Sequence, residues 1–269
     1  MQYLIRLIAL LTALALSGCA SQQEQLYSWA KSQDAEARVV ETSSFSLQIV
    51  TPRTLPRHER LSIFIEGDGR AWATGSQPSL DPSPRQRNMA RLALDANHAG
   101  VYVARPCQFV TSPGCVSAVW TDARFSRQVI ESVNAVIDSL KARYQASTIE
   151  LIGYSGGAAV ALLLAEERDD ISQIQTIAGN VDPHAWARLQ RLSPLQGSLD
   201  PLAESLRLKH IAQRHFIGMS DTVVPASLLS DFLSRTQPDC TEIVRLPATH
   251  ATLVEAIDGQ MLARPIKCQ

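Results

Sequence analysis

Seven short apolar runs recur along the chain, at 45–50 (FSLQIV), 61–65 (LSIFI), 100–104 (GVYVA), 148–152 (TIELI), 173–178 (QIQTIA), 213–218 (QRHFIG) and 241–246 (TEIVRL). Their length and β-branched content predict strands, and the near-continuous apolar ones suit strands covered on both faces of a parallel sheet. Helical spacing occupies the intervals, at 85–96, 124–143, 157–167 and 225–235. In the second of these, Val129, Val133, Val136, Ile137 and Leu140 share one face. Strands alternating with helices predict a single α/β domain with a mostly parallel central sheet flanked by helices on both faces. Pro, Gly and Ser punctuate 182–210, which reads as an excursion over the top of the sheet with short helical patches.

The N-terminus breaks this pattern. Arg6 is followed by LIALLTALAL, apolar except at Thr12. That run is too short for a comfortable membrane span and has the three-part form of a secretory signal. Leu16-Ser17-Gly18-Cys19 resembles the lipobox of bacterial lipoproteins. The resemblance implies that residues 1–18 are removed and that Cys19 is acylated as the new first residue. Ala20, not Asp, follows the cysteine, so the resemblance implies the cell envelope at the periplasmic face of the outer membrane. An ordinary signal peptide that contains a cysteine is the alternative. Residues 19–38 are polar and read as a tether with the first ordered turn, leaving 39–269 as the folded domain.

Composition adds limits. The chain has 269 residues, 45% hydrophobic and 19% charged, with a formal charge of −1. These are values of a globular domain with a substantial core. No Lys/Arg-rich run or nucleic-acid motif accompanies them, so a nucleic-acid partner is not expected. With Cys19 set aside, four of the five cysteines remain. Cys107 and Cys115 bracket a short Pro- and Gly-containing loop and read as a local disulfide, which leaves Cys240 with Cys268. The other two pairings stay open at this stage. C-x-x-C spacing is absent, and nothing in the sequence calls for a metal or an organic cofactor.

The candidate chemistry starts at Leu151–Ala159, LIGYSGGAA. Three glycines within five residues around Ser155, between a strand and an apolar helix, match a nucleophile elbow, G-x-S-x-G. The amide of Gly156 is then a free donor at a helix start, suited to an oxyanion. A serine hydroxyl needs a base, and the base an orienting acid. Asp221 follows the strand at 213–218 and His250 the strand at 241–246. All three sit at carboxyl ends of strands, in the order serine, acid, histidine. A glycine-flanked serine in a plain turn, an aspartate as a helix cap and a solvated histidine are the bland readings of each alone. Asp182, after the strand at 173–178, is an alternative acid. A second oxyanion donor is expected from Glu66-Gly67-Asp68-Gly69, with the Asp68 amide favoured. The side chains of Glu66 and Asp68 could instead meet substrate, which would disfavour anionic acyl groups. Asp122 is expected to cap the helix at 124–143, and His184, His210 and His215 to be structural or solvated.

The motifs FIEGDGRAW, ARPCQ, WTDARFS, GYSGGAA, GNVD, GSLDP, FIGMSDTVVP and THATL together resemble a group of bacterial α/β-hydrolase lipoproteins. The resemblance spans nearly all of the mature chain. It implies an α/β-hydrolase fold, export, and Ser155, Asp221 and His250 as a triad, and it supplies no substrate. The reading that follows is a lipid-anchored serine hydrolase acting on small carboxylic esters, held to the membrane by its N-terminal lipid. A peptidase or acyltransferase on envelope substrates, or a non-catalytic binding lipoprotein, is the alternative.

Overall fold

The computed structural model describes residues 20–55 and 59–268. The signal segment and Cys19 lie outside them. All seven predicted strands form, and an eighth precedes them. In chain order they are β1 (Ala35–Glu41), β2 (Ser46–Pro52), β3 (Arg60–Ile65), β4 (Val101–Val103), β5 (Thr148–Tyr154), β6 (Ile171–Ile177), β7 (Ala212–Gly218) and β8 (Thr241–Leu246). They build one sheet of order β1-β2-β4-β3-β5-β6-β7-β8. β2 runs antiparallel to β1 and to β4, and every other neighbouring pair is parallel.

Helices cover both faces, as the apolar runs of the central strands require. On one face α3 (Arg127–Tyr144), α4 (Gly156–Glu167) and α6 (Ala226–Thr236) bury Val129, Val133, Val160, Leu164 and Phe232. On the other, α1 (Gln22–Ser32), α2 (Asn88–Ala93), α7 (His250–Leu253) and α8 (Gly259–Ala263) bury Leu26, Met89, Leu253 and Leu262. The remaining helix, α5 (Pro183–Leu189), opens the expected excursion over the top of the sheet.

Three expectations need correction. Residues 19–38 are not a tether up to the domain: α1 and β1 occupy most of that stretch, and the folded unit begins near Ser21. Ser21 caps α1 and exchanges hydrogen bonds with Glu24 in a capping box, while Leu26 and Ala30 are fully buried. Asp122 does not cap α3. Ser126 holds the cap position, and the Asp122 carboxylate accepts from the Thr121 hydroxyl. The predicted helix at 85–96 is shorter, as α2, because no side chain caps it at Arg87 and Asp95 turns away to accept from Asn97 and Gly259.

Both expected disulfides form, with Cα atoms 5.6 Å apart for Cys107–Cys115 and 4.6 Å for Cys240–Cys268. The second ties the end of the chain beside β8. The same tail is gripped by the fully buried Arg214, which donates to the carbonyls of Arg264 and Pro265 and pairs with Glu242 at 2.8 Å.

Parallel strands place their carboxyl ends along one edge, and the chain reverses its direction of travel across the sheet between β3 and β5. A crevice at such a switch point is where open α/β sheets hold ligands. The burial of α1 can be measured. Leu26→Ala is expected to lower the unfolding free energy by about 2–5 kcal/mol, as for a core leucine. A change within about 0.5 kcal/mol, as at a solvated surface site, would return this segment to a tether.

Candidate active site

Ser155 stands where β5 passes into α4, with φ 50° and ψ −119°, a conformation costly for a residue with a Cβ. The surrounding backbone holds it there. Its N–H donates to the Ile177 carbonyl at 2.9 Å, and its own carbonyl accepts from Asn180 at 2.9 Å. The glycines that follow are required by close approach. A Cβ on Gly157 would lie 2.4 Å from the Ile65 carbonyl oxygen, and one on Gly156 only 2.1 Å from Asp68 Oδ1. The first turn of α4 therefore presses against the end of β3 and the loop beyond it.

His250 opens α7 just past β8, and Asp221 lies in the loop after β7. His250 Nε2 is 3.0 Å from Ser155 Oγ, and His250 Nδ1 is 2.8 Å from Asp221 Oδ2. The other Asp221 oxygen accepts from the amides of Val223 and Val224 at 2.9 Å each. A carboxylate so held takes its proton-bearing partner from Nδ1, leaving the Nε2 lone pair for the serine hydroxyl. Tyr154 packs on the imidazole at 5.4 Å between ring centres and donates from its hydroxyl to the His250 carbonyl. The three expected residues are thus one hydrogen-bonded line. Asp182 is elsewhere: it caps α5 by accepting from Ala185 at 2.8 Å and faces Arg235.

Gly156 follows the serine, Gly67 packs beside it, and neither the Gly156 nor the Asp68 amide donates to a protein group among the described residues. The loop 66–69 that carries Asp68 is fixed from several sides. Gln108 donates to the Gly67 carbonyl at 3.0 Å, and Tyr102 donates to Glu66 at 2.9 Å. The Asp68 carboxylate lies against Gly156 and pairs with Arg124 at 2.6 Å and Arg105 at 3.3 Å. Burial alone would raise this carboxyl, but the two guanidiniums hold it below the usual range. Asp68 therefore meets the cavity as a carboxylate whose charge is matched by two guanidiniums. Glu66 differs: burial pushes its carboxyl up to about 7, against the opposing hydrogen bonds of the Gly67 amide and the Tyr102 hydroxyl.

Tyr102, Arg105, Gln108 and Arg124 were not singled out from the sequence. ARPCQ and WTDARFS carry three of the four, and the available signal was that ARPCQ directly follows a strand and so lies on the reactive edge. The Cys107–Cys115 bond fixes that loop, in which Cys107 and Phe109 both have positive φ. His215 is buried beneath the site and hydrogen-bonded to Thr176, with burial depressing it to about 3, while His210 pairs with Asp239 at the surface.

Above Ser155 and His250 opens a cavity of about 640 Å³, whose lining includes Tyr154, Trp186, Val223 and Val254 together with Arg70, Trp72, Arg85 and Met89. Trp186, from α5, donates to the Val223 carbonyl at 2.8 Å and lies under the Arg124 guanidinium. Among the described residues no three His, Cys, Asp or Glu side chains gather as metal ligands.

No protein-family model matches the chain, and no curated protein matches it by sequence. Solved structures do match. An esterase from Pyrococcus furiosus superposes with a TM-score of 0.60 at 16% identity, over 84% of this chain and 88% of that one. An alpha-beta serine hydrolase homologue from Coxiella burnetii gives 0.54 at 16% identity, over 85% and 95%. An acylaminoacyl peptidase from Pyrococcus horikoshii gives 0.57 at 12% identity, over 85% of this chain and 39% of that one. The chain has the α/β-hydrolase fold.

Glu66 generates a measurable slope. A carboxyl that titrates at 4.5 unperturbed and at about 7 in the fold keeps its proton in the native state while the unfolded chain has lost it. Stability should therefore be greatest below the lower value and fall as pH rises to the upper one, by up to about 3 kcal/mol. Glu66→Gln cannot titrate and is expected to flatten that slope, read by urea unfolding at pH values from about 4 to about 8. An unchanged slope would show that Glu66 ionises normally.

Proposed function

We propose that the chain is a serine hydrolase that cleaves carboxylic esters. The observation that carries this reading is the unbroken line from Ser155 Oγ through His250 to Asp221, with contacts of 3.0 and 2.8 Å. Ser155 Oγ attacks the ester carbonyl as its proton passes to His250 Nε2, and Asp221 orients the resulting imidazolium. The carbonyl oxygen gains the negative charge and accepts from the free amides of Gly156 and Asp68. Collapse breaks the bond to the alkoxy oxygen, which leaves as the alcohol with the proton from His250. Water then repeats the sequence on the acyl-serine and releases the acid. Ester plus water gives acid plus alcohol, and the enzyme is restored.

Amide cleavage by the same atoms is the rival reading, because the acylaminoacyl peptidase shares the fold. Esters are preferred because the cavity is a single open pocket of small-molecule size at the sheet edge.

Export and anchoring at Cys19 belong to the same proposal. The two disulfides suit an oxidising compartment. With α1 beginning at Gln22, only Ala20 and Ser21 would separate it from an acylated Cys19, a reach of about 7 Å. The domain would then sit directly on the membrane surface, which we assign to the periplasmic face of the outer membrane.

A fluorophosphonate probe is expected to label the wild type and not Ser155→Ala. Asp221→Asn should lower kcat on para-nitrophenyl butyrate by about 10⁴-fold, as misorienting the base does in serine proteases. Full esterase activity in Ser155→Ala would end the mechanism, and faster turnover of peptide anilides than of esters would favour the peptidase. Radiolabelled palmitate should enter the protein in cells and be lost in Cys19→Ala. Equal incorporation in both would end the anchor assignment.

A further inference from the structure

The charge inside the cavity is opposite in sign to that of the chain, whose formal charge is −1. Three guanidiniums line it, from Arg70, Arg85 and Arg124, against the carboxyls of Glu66 and Asp68. Asp68 is already matched by Arg124 and by Arg105 behind it. Glu66 keeps its proton well above the ordinary carboxyl range because it is buried. What remains is net positive.

The arginines differ in how they are held. Arg124 is only 4% exposed. Its Nε donates to the Thr121 carbonyl and one terminal nitrogen to Asp68, while the other, Nη2, donates to no protein group among the described residues. Trp186 stacks beneath it at 5.7 Å. It is a preset, buried cation with a free donor on the cavity wall. Arg70 and Arg85 are exposed at the mouth, and neither guanidinium pairs with a protein group among the described residues. Both come from the segment between β3 and α2, where Gly69 and the bond from Arg70 N–H to the Pro82 carbonyl at 2.9 Å fold the chain back. Tyr154, Val223 and Val254 add mainly apolar surface to the lining. The cavity therefore offers cationic donors for an oxyanion and apolar surface for a hydrocarbon.

We infer that the pocket selects esters that carry an anionic group, a carboxylate or a phosphate-type oxyanion, apart from the scissile carbonyl. The inference rests on the hydrolase reading and names its substrate class. Arg124 Nη2 receives the anion, and Arg70 and Arg85 draw it in and hold its outer side. The scissile carbonyl then faces Ser155, with the apolar stem against the apolar part of the lining. No bond changes at the anionic end.

Paired substrates test this. The para-nitrophenyl hemiester of glutarate is compared with para-nitrophenyl glutaramate, its neutral amide, and with the matching phosphonobutyrate ester. The wild type is expected to prefer an anionic member in kcat/KM by about tenfold or more at low salt, with the preference shrinking in about 0.5 M salt. The phosphonate arm tells which oxyanion is favoured. In Arg70→Ala/Arg85→Ala the ratio should fall toward one. A neutral preference in the wild type, or an undiminished anionic preference in the double variant, would overturn the inference. If the fluorophosphonate probe leaves Ser155 unlabelled, the hydrolase reading fails separately. Calorimetry of glutarate against Ser155→Ala then decides the pocket: binding weakened by the double arginine change sustains the anion site, and no binding removes it.

Discussion

The site depends on one buried ion cluster, the Asp68 carboxylate between Arg105 and Arg124. A carboxylate withdrawn from water is costly unless it is paired and hydrogen-bonded. Here its partners come from two other loops, one after β4 and one before α3, so satisfying the charge fastens three loops at one edge of the sheet. The Arg105 guanidinium also donates to the Arg124 carbonyl, which leaves the pair little freedom to drift apart. With the side chain committed in this way, the Asp68 backbone is fixed beside Ser155 with its amide unused. The same carboxylate lies where a Cβ of residue 156 would be, so glycine there follows from the cluster and not only from the turn.

Strain at Ser155 has its counterpart in the neighbouring strand end. Ala178 also has positive φ, and its amide donates to the Phe216 carbonyl at 3.0 Å. The ends of β5, β6 and β7 are thereby locked in sequence, β5 to Ile177 and β6 to Phe216. A residue in this region of conformational space costs of order 1–3 kcal/mol and persists only when its surroundings over-determine it. Three strand ends and the packed first turn of α4 supply that. The serine hydroxyl is therefore aimed by backbone geometry, while His250 is aimed by a side chain, Asp221, that two backbone amides hold in turn.

What could be read from the sequence follows from how each residue acts. The inner strands were legible because burial on both faces leaves an apolar run, and the edge strand β8 because TEIVRL keeps β-branched and apolar residues despite its partial burial. β1 was not, because an edge strand needs only partial burial, and AEARVVE is half exposed along most of its length. α1 was hidden by composition: QQEQLYSWAKS buries only Leu26 and Ala30, so hydropathy resembles that of a linker. The Ser21 and Glu24 spacing was the one local sign of a helix start. The positions of Ser155, Asp221 and His250 were legible from order alone, since parallel strands put all their carboxyl ends on one side. Order could not separate Asp221 from Asp182, which follows a strand on the same edge. That choice is made by α5, whose start takes the Asp182 carboxylate as its cap. Arg105, Gln108 and Arg124 were invisible for a similar reason. Their roles are to hold another loop, and that depends on which loops meet in space.

Arg124 joins these threads, because its Nε holds its own loop at the Thr121 carbonyl and one terminal nitrogen secures the loop that carries Asp68, while the other terminal nitrogen makes no bond to a protein group among the described residues. The two tasks act at different stages of a reaction. An anion held at a distance from the reacting carbonyl is bound equally in the ground state and in the transition state, so its recognition appears in KM and leaves kcat alone. A fixed positive centre behind the oxyanion loop acts only as negative charge develops on the carbonyl oxygen, and so acts on kcat. The buried setting of Arg124 strengthens both effects. On the proposed reading, one buried guanidinium would position the loop that carries Asp68 and meet a substrate's anion without the two roles interfering.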